Sequence, residues 1–346
     1  MTGQKIFLDT LNGQMTEKVP FWFMRQAGRY LPEYRALRAE KGGFLQMAFD
    51  PRAASEITMQ PIRRFGMDAA IIFSDILTVP MALGQKLSFM AGEGPKLDPV
   101  DFTTLRMDKF HEVLQPVYDA LWVTKNALSG EGFDGTALIG FAGAPWTVAA
   151  YMIEGQGSKD FMNAKRMSYE KPTEFGALID LLIEATAQYL IRQVEAGAEA
   201  LQIFESWAGA LDVDQFERWS IVPTKKIIEK VRKVHPAIPI IGFPRLAGLN
   251  ILSYAEKTGV NAVGIDSLVP TAWAAENLQA RKFVVQGNLD PACLLAGGLS
   301  LDHSATSILK DLSRSPFVFN LGHGVNKDTP IAHVERLVQI IQEFKR

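Results

Sequence analysis

Short runs of apolar residues recur along the chain, and each one ends in a small polar group. The runs lie at 20–24, 69–73, 137–141, 200–204, 238–242, 262–265, 283–286 and 317–321. Within each run the apolar residues are nearly continuous, without the apolar–polar alternation of a half-exposed strand. That is the pattern of strands in a parallel sheet covered on both faces. The intervening segments carry helical spacing instead. Residues 177–196 set Leu181, Leu182, Ala185, Tyr189, Ile191 and Val194 on the period of a helix, and 214–234 and 331–344 read the same way. Eight alternations of strand and helix are what a (β/α)8 barrel requires. The expected fold is therefore α/β, one barrel domain over residues 1–346, with a doubly wound open sheet as the alternative. The stretch 85–110 shows neither period. It is expected to form a long loop after strand two, either a flap over the site or a solvated connection.

Composition narrows the function classes. A barrel takes about 250 residues or more, so a chain of 346 residues needs no division into two units. A net charge of −2 with a pI near 6.3 argues against a broad basic surface for nucleic acid. The single cysteine, Cys293, excludes an intrachain disulfide and a cysteine-based zinc centre. The N-terminus has no long apolar signal region, and no stretch approaches the roughly 18 uncharged apolar residues of a membrane span. A soluble, cytoplasmic protein is expected.

In a parallel barrel the chemistry lies at the C-terminal ends of the strands, and that rule selects candidates. Run one emerges into Arg25-Gln26-Ala27-Gly28-Arg29. Two guanidiniums so close gain little in structure, but each can hold a carboxylate or phosphate through two parallel hydrogen bonds. Asp75 follows run two, Tyr151 lies past run three, and Ser206 follows run four. Arg245 and Asp266 follow runs five and six, and His323 sits between Gly322 and Gly324 after run eight. Asp75 and Ser206 would serve equally as helix caps, and Tyr151 as a core aromatic. The glycines flanking His323 suggest a close backbone approach. Several cations around one carboxylate suit a polyanionic organic substrate whose ring carries or develops positive charge near Asp75. The chain lacks a nucleotide-binding glycine fingerprint and a recognisable Ser-His-Asp spacing.

Two longer motifs carry a resemblance. The first is Pro20-x-Trp22-x-Met24-Arg25-Gln26-Ala27-Gly28-Arg29, continuing through Tyr30-Leu31-Pro32-Glu33-Tyr34-Arg35. The second is Gly140-Phe141-Ala142-Gly143-Ala144-Pro145-Trp146-Thr147-Val148-x-x-Tyr151. With Phe73 to Leu77, Phe204 to Gly209 and Asn320 to Gly324, they make the sequence resemble the uroporphyrinogen decarboxylases over nearly its whole length. The resemblance implies a distorted (β/α)8 barrel, a homodimer and no metal or organic cofactor. It also implies removal of the carboxyl groups of all four acetate side chains of uroporphyrinogen III. Arg25, Ala27, Arg29 and Arg38 match positions that contact substrate carboxylates, and Gln26 and Gly28, in the same block, are expected to bind substrate as well. Asp75 matches the aspartate facing the pyrrole N–H groups, and Tyr151, Ser206 and His323 match further substrate contacts. The resemblance favours Arg25 as proton donor, whereas Tyr151, His323 or a water is chemically easier. Two rival readings remain open at this point. One is a methyltransferase of similar fold that binds zinc through His and Cys, against which the single cysteine argues. The other is a porphyrinogen-binding protein without catalysis.

Overall fold

The computed structural model describes residues 3–90, 94–99 and 101–346. Its strands are β1 (Ala69–Ile71), β2 (Leu87–Met90), β3 (Gly94–Leu97), β4 (Ala137–Gly143), β5 (Ala200–Glu205), β6 (Ile240–Pro244), β7 (Ala262–Gly264), β8 (Val284–Leu289) and β9 (Phe317–Leu321). Seven of them form one parallel sheet in the order β1-β4-β5-β6-β7-β8-β9. Each crossover carries helix, including Phe110–Gly130, Pro172–Glu195, Val222–Val234 and Gly298–Leu312. Prolines start several helices where a missing N–H costs nothing, as at Pro51, Pro145 and Pro172.

The ring closes through residues 20–24. Phe21 bridges Phe319 in parallel, with Phe319 N donating to Pro20 O at 2.9 Å and Trp22 N to Phe319 O at 3.3 Å. On the other side Asp68 N donates to Phe21 O at 3.0 Å, and Phe21 N donates back to the Asp68 carboxylate at 2.9 Å. The first apolar run is therefore the eighth stave, bonded to both edges of the sheet. Its ladder is short because Pro20 has no N–H and a side chain takes the bond of Phe21. Side chains alternate across it as a strand demands: Trp22 and Met24 join the barrel interior, Phe21 and Phe23 the layer between barrel and helices.

The interior is a packed core. Helix Ile6–Leu11 plugs the N-terminal end with Phe7 and Leu11 against Ala69, Ala137, Ala200 and Ala262, small residues at strand starts that leave room for it. Above them Trp22 Nε1 donates to Gln286 Oε1 at 2.9 Å, and Gln286 Nε2 donates to Gln202 Oε1 at 3.0 Å. The fifth run pairs two residues later than its hydrophobicity suggests. β6 starts at Ile240, opposite Leu201, because Pro239 has no N–H for the ladder.

The stretch 85–110, expected to hold no element, contains the antiparallel hairpin β2–β3 and the single turn Phe102–Thr104. The hairpin is tied to the barrel. Gln85 Nε2 donates to Asp98 O at 2.9 Å and Met152 O at 3.1 Å, and Leu97 N donates to Gly155 O at 2.7 Å. Phe89 packs on Phe44 at 4.5 Å between ring centroids, and Phe44 on Phe73 at 5.1 Å. The flap reading bears partly on residues 91–93 and 100, which lie outside the described residues.

Candidate active site

Arg25 emerges from the eighth stave at the C-terminal mouth, and the bonds on either side of it fix its place. Met24 N donates to Asn320 Oδ1 at 3.0 Å, and Val325 N donates to Met24 O at 2.9 Å. Between these bonds Arg25 takes φ +58°, a left-handed conformation that costs a residue with a Cβ about 1 kcal/mol or more. Its stem lies across Gly324, where a Cβ would fall 2.5 Å from Arg25 Cγ. Gly322 is equally constrained, by the backbone of Ser267. The two glycines around His323 thus permit close packing of the neighbouring loops.

Asp75 follows β1 at the same mouth. One carboxylate oxygen accepts from Leu77 N at 2.8 Å, forming a turn just before helix Thr78–Ala82, whose N-cap is Leu77 and not Asp75. Its second oxygen makes no hydrogen bond among the described residues. Burial pushes the carboxyl up to about 6, against the opposing pull of the Leu77 N–H and the Arg25 charge.

Tyr151 on helix Pro145–Glu154 faces this group. Burial and then the Asp75 charge raise its phenol, while Arg25 and Arg245 pull the other way. Trp207 packs edge-on against it at 5.9 Å. His323 is pushed down to about 4, first by burial and then by the charges of Arg25 and Arg245. It is a neutral imidazole at neutral pH and holds no imidazolium proton to give. Arg245 is drawn into the same cluster. Asp266 does not pair with it, because the Asp266 oxygens accept from Leu246 N at 2.6 Å and Leu268 N at 2.9 Å. Burial lowers Arg245, partly offset by the charge of Asp266.

Arg25, Asp75, Tyr151, Arg245 and His323 thus feel one another's charge. Arg29 and Arg38 stand apart from them, as a pair around Tyr34. Tyr34 packs on Phe73 at 5.9 Å, which joins this outer pair to the segment after β1 that carries Asp75. None of the four arginines, Arg25, Arg29, Arg38 or Arg245, makes an ion pair among the described residues, whereas Arg63, Arg64 and Arg336 each do.

The rest of the arginine block is built into the wall. Gln26 is buried, its Nε2 donating to Ala69 O at 3.2 Å and its Oε1 accepting from Phe23 N at 3.3 Å. Its side chain is spent on the backbone. Ala27 and Gly28 form the half-buried turn between the two arginines, and Gly28 O accepts from Leu31 N at 3.0 Å. Ser206 is half-buried directly after β5. Arg245 is the member that sequence reasoning left undecided. It follows the displaced strand β6, so its aim could not be read from the run at 238–242.

The model of the family described as uroporphyrinogen decarboxylase matches residues 2–344. This chain belongs to the uroporphyrinogen decarboxylase family. A uroporphyrinogen decarboxylase of Rhizorhabdus wittichii is 52% identical over 96% of this chain and 95% of its own length. One from Erythrobacter litoralis is 50% identical over 99% of both chains. Among solved structures, a methyltransferase from Methanosarcina mazei superposes with a TM-score of 0.82 over 98% of both chains at 18% identity. A B12-independent methionine synthase from Shewanella sp. W3-18-1 superposes at 0.54 over 96% of this chain and 95% of its own, at 13% identity. These likenesses show the fold, whereas the uroporphyrinogen decarboxylase family is shown by the family model and the relatives at about 50% identity.

Proposed function

We propose that this chain removes the carboxyl groups of the four acetate side chains of uroporphyrinogen III and releases coproporphyrinogen III. One observation carries the reading: Arg25, Arg245, Tyr151 and His323 lie close enough to act on one another around a single carboxylate, Asp75, and neither arginine makes an ion pair among the described residues. The names of the relatives support the same substrate. A macrocycle with carboxylates at its rim and N–H groups at its centre matches that charge pattern from the outside inward.

Each step replaces one carbon dioxide by one proton. Protonation of a pyrrole ring carbon turns the ring into a cationic electron sink. The bond to the carboxylate then breaks, its electron pair flows into the ring, and carbon dioxide leaves. A second proton goes to the exocyclic methylene carbon, making a methyl, and the ring carbon gives up the first. Asp75, ionised above pH 6, sits opposite the charge that develops and stabilises it. Arg25, Arg29, Arg38 and Arg245 hold carboxylates. Tyr151 keeps its phenolic proton at neutral pH and is available as a donor, whereas neutral His323 binds through its ring N–H. Ser206 adds a hydroxyl at the wall, and Gln26, Ala27 and Gly28 set the spacing of the arginines.

In this reading the whole chain, residues 1–346, acts as one barrel domain without metal or organic cofactor, in the cytoplasm and as a homodimer. No helix among the described residues is long and apolar enough to cross a membrane. Sedimentation of the purified protein tests the dimer. The activity is tested by anaerobic incubation with uroporphyrinogen III, followed by oxidation and chromatography. Stepwise loss of four carboxyl groups is expected. Binding without any loss would support the non-catalytic binder instead.

A further inference from the structure

Glu205 ends β5, immediately before Ser206, and its side chain turns outward between barrel and helices, where no solvent reaches it. One oxygen accepts from Thr147 N at 3.0 Å and also from the Thr147 hydroxyl. That hydroxyl in turn accepts from Trp207 N at 3.2 Å. Thr147 lies one turn before Tyr151 on helix Pro145–Glu154, and Trp207 is the ring that packs on Tyr151. The Glu205 carbonyl accepts from Arg245 N at 3.1 Å. A single residue therefore ties together the segments bearing Tyr151, Ser206 and Arg245.

Its other oxygen makes no hydrogen bond among the described residues, and neither do the buried hydroxyls of Ser220, Thr224 and Tyr254. Ser220 lies close enough to act on Glu205, and Glu205 on Tyr254. Ser220 is brought inward by the wide π turn Glu217–Ile221, which forms because Pro223 has no N–H for the α-helical ladder. Thr147, Ser220 and Tyr254 face Glu205 from three elements, and Thr224 faces Tyr254; of these only Tyr254 titrates, and no cation acts on Glu205.

We propose that Glu205 is a positioning residue for the decarboxylation, acting through Thr147 as a hydrogen-bonding group that fixes the Ser206–Trp207 turn against the Tyr151 helix. The proposal rests on the function stated above. Burial pushes this carboxyl up to about 8, against about 4 in an unfolded chain, so the folded protein holds the extra proton between those values. Stability contributed by keeping Glu205 neutral is full below the unfolded value and is lost as the pH rises towards 8.

The test compares E205Q, E205L, T147V and T147S with the wild type, by kcat and KM for uroporphyrinogen III and by Tm from pH 5 to 9. E205Q keeps the acceptor and a donor without the ionisation. It should retain kcat within about threefold and lose less Tm than the wild type as the pH rises. E205L and T147V should lose about 10- to 100-fold in kcat, with a smaller change in KM, and T147S should restore it. If E205L does not fold, T147V decides by the same criterion. Loss of activity in E205Q equal to that in T147V would overturn the proposal, since the proton itself would then matter. Wild-type kcat in T147V would overturn it as well. A wild type that turns over no substrate would refute the functional reading instead, and the Tm series still reports whether Glu205 is held neutral.

Discussion

Asp75 carries a cost in the folded protein that its chemistry requires. Its folded pKa of about 6 lies above that of an unfolded aspartate, near 4, so burying its charge destabilises the protein above pH 6, and the cost vanishes below 4. In the proposed mechanism the same ionisation sets the acid limb of activity. On lowering the pH through about 6, kcat/KM should fall about tenfold per unit as Asp75 takes up a proton. A flat profile from pH 7 to 5 would contradict the assignment. Arg29 and Arg38 both act on Tyr34, outside this cluster, and in the proposed function they hold substrate carboxylates. Alanine at either should raise KM for uroporphyrinogen III about tenfold while kcat changes less, the loss expected for one charge-assisted contact. Asp75, Arg25 and Arg245 were singled out in the sequence because each follows an apolar run within a few residues, whereas Arg38 was reached only through the family resemblance. The structural role of Gln26 was not legible there, because nothing in a one-dimensional pattern shows that its amide spans Phe23 N and Ala69 O.

At the scale of elements, the eighth stave is where sequence and geometry meet. Its hydrophobic run reads as a strand, yet its pairing is a single bridge completed by the Asp68 and Asn320 side chains. Hydrophobic periodicity detects burial, and burial here is supplied by both faces of the barrel wall. The hairpin β2–β3 escaped notice for the opposite reason: its strands are four residues each and β3 is largely exposed. β6 was displaced by a missing N–H, which hydrophobicity does not register. The loop after β9 meets the stave at Gly324, beneath the Arg25 stem. Gly324→Ala should therefore displace Arg25 and lower kcat/KM by about 10-fold or more, with a modest loss of Tm. Unchanged kinetics in a folded Gly324→Ala protein would mean that Arg25 does not need this seat.

Across the whole molecule, the two ends of the barrel do different work. The N-terminal end is closed by Phe7 and Leu11, fully buried against small residues at the strand starts. The C-terminal end carries Arg25, Arg245, His323 and Asp75, which act on one another. Stability and chemistry are thereby separated by the length of the strands. Phe7→Ala should cost about 3–5 kcal/mol of stability through the cavity it opens, yet leave kcat and KM unchanged at temperatures well below Tm. A change in KM without a change in Tm would contradict that separation. The same division explains how one architecture, shared at 18% identity with a methyltransferase, hosts a different chemistry at its mouth.

The most direct test of the account is Asp75→Asn, measured for turnover, for binding of uroporphyrinogen III and for Tm at pH 7.5. Asparagine keeps the acceptor for Leu77 N and removes the charge. The account predicts a Tm equal to or above that of the wild type, binding largely retained, and kcat reduced about 100-fold or more. A folded Asp75→Asn protein that binds and decarboxylates at the wild-type rate would contradict it.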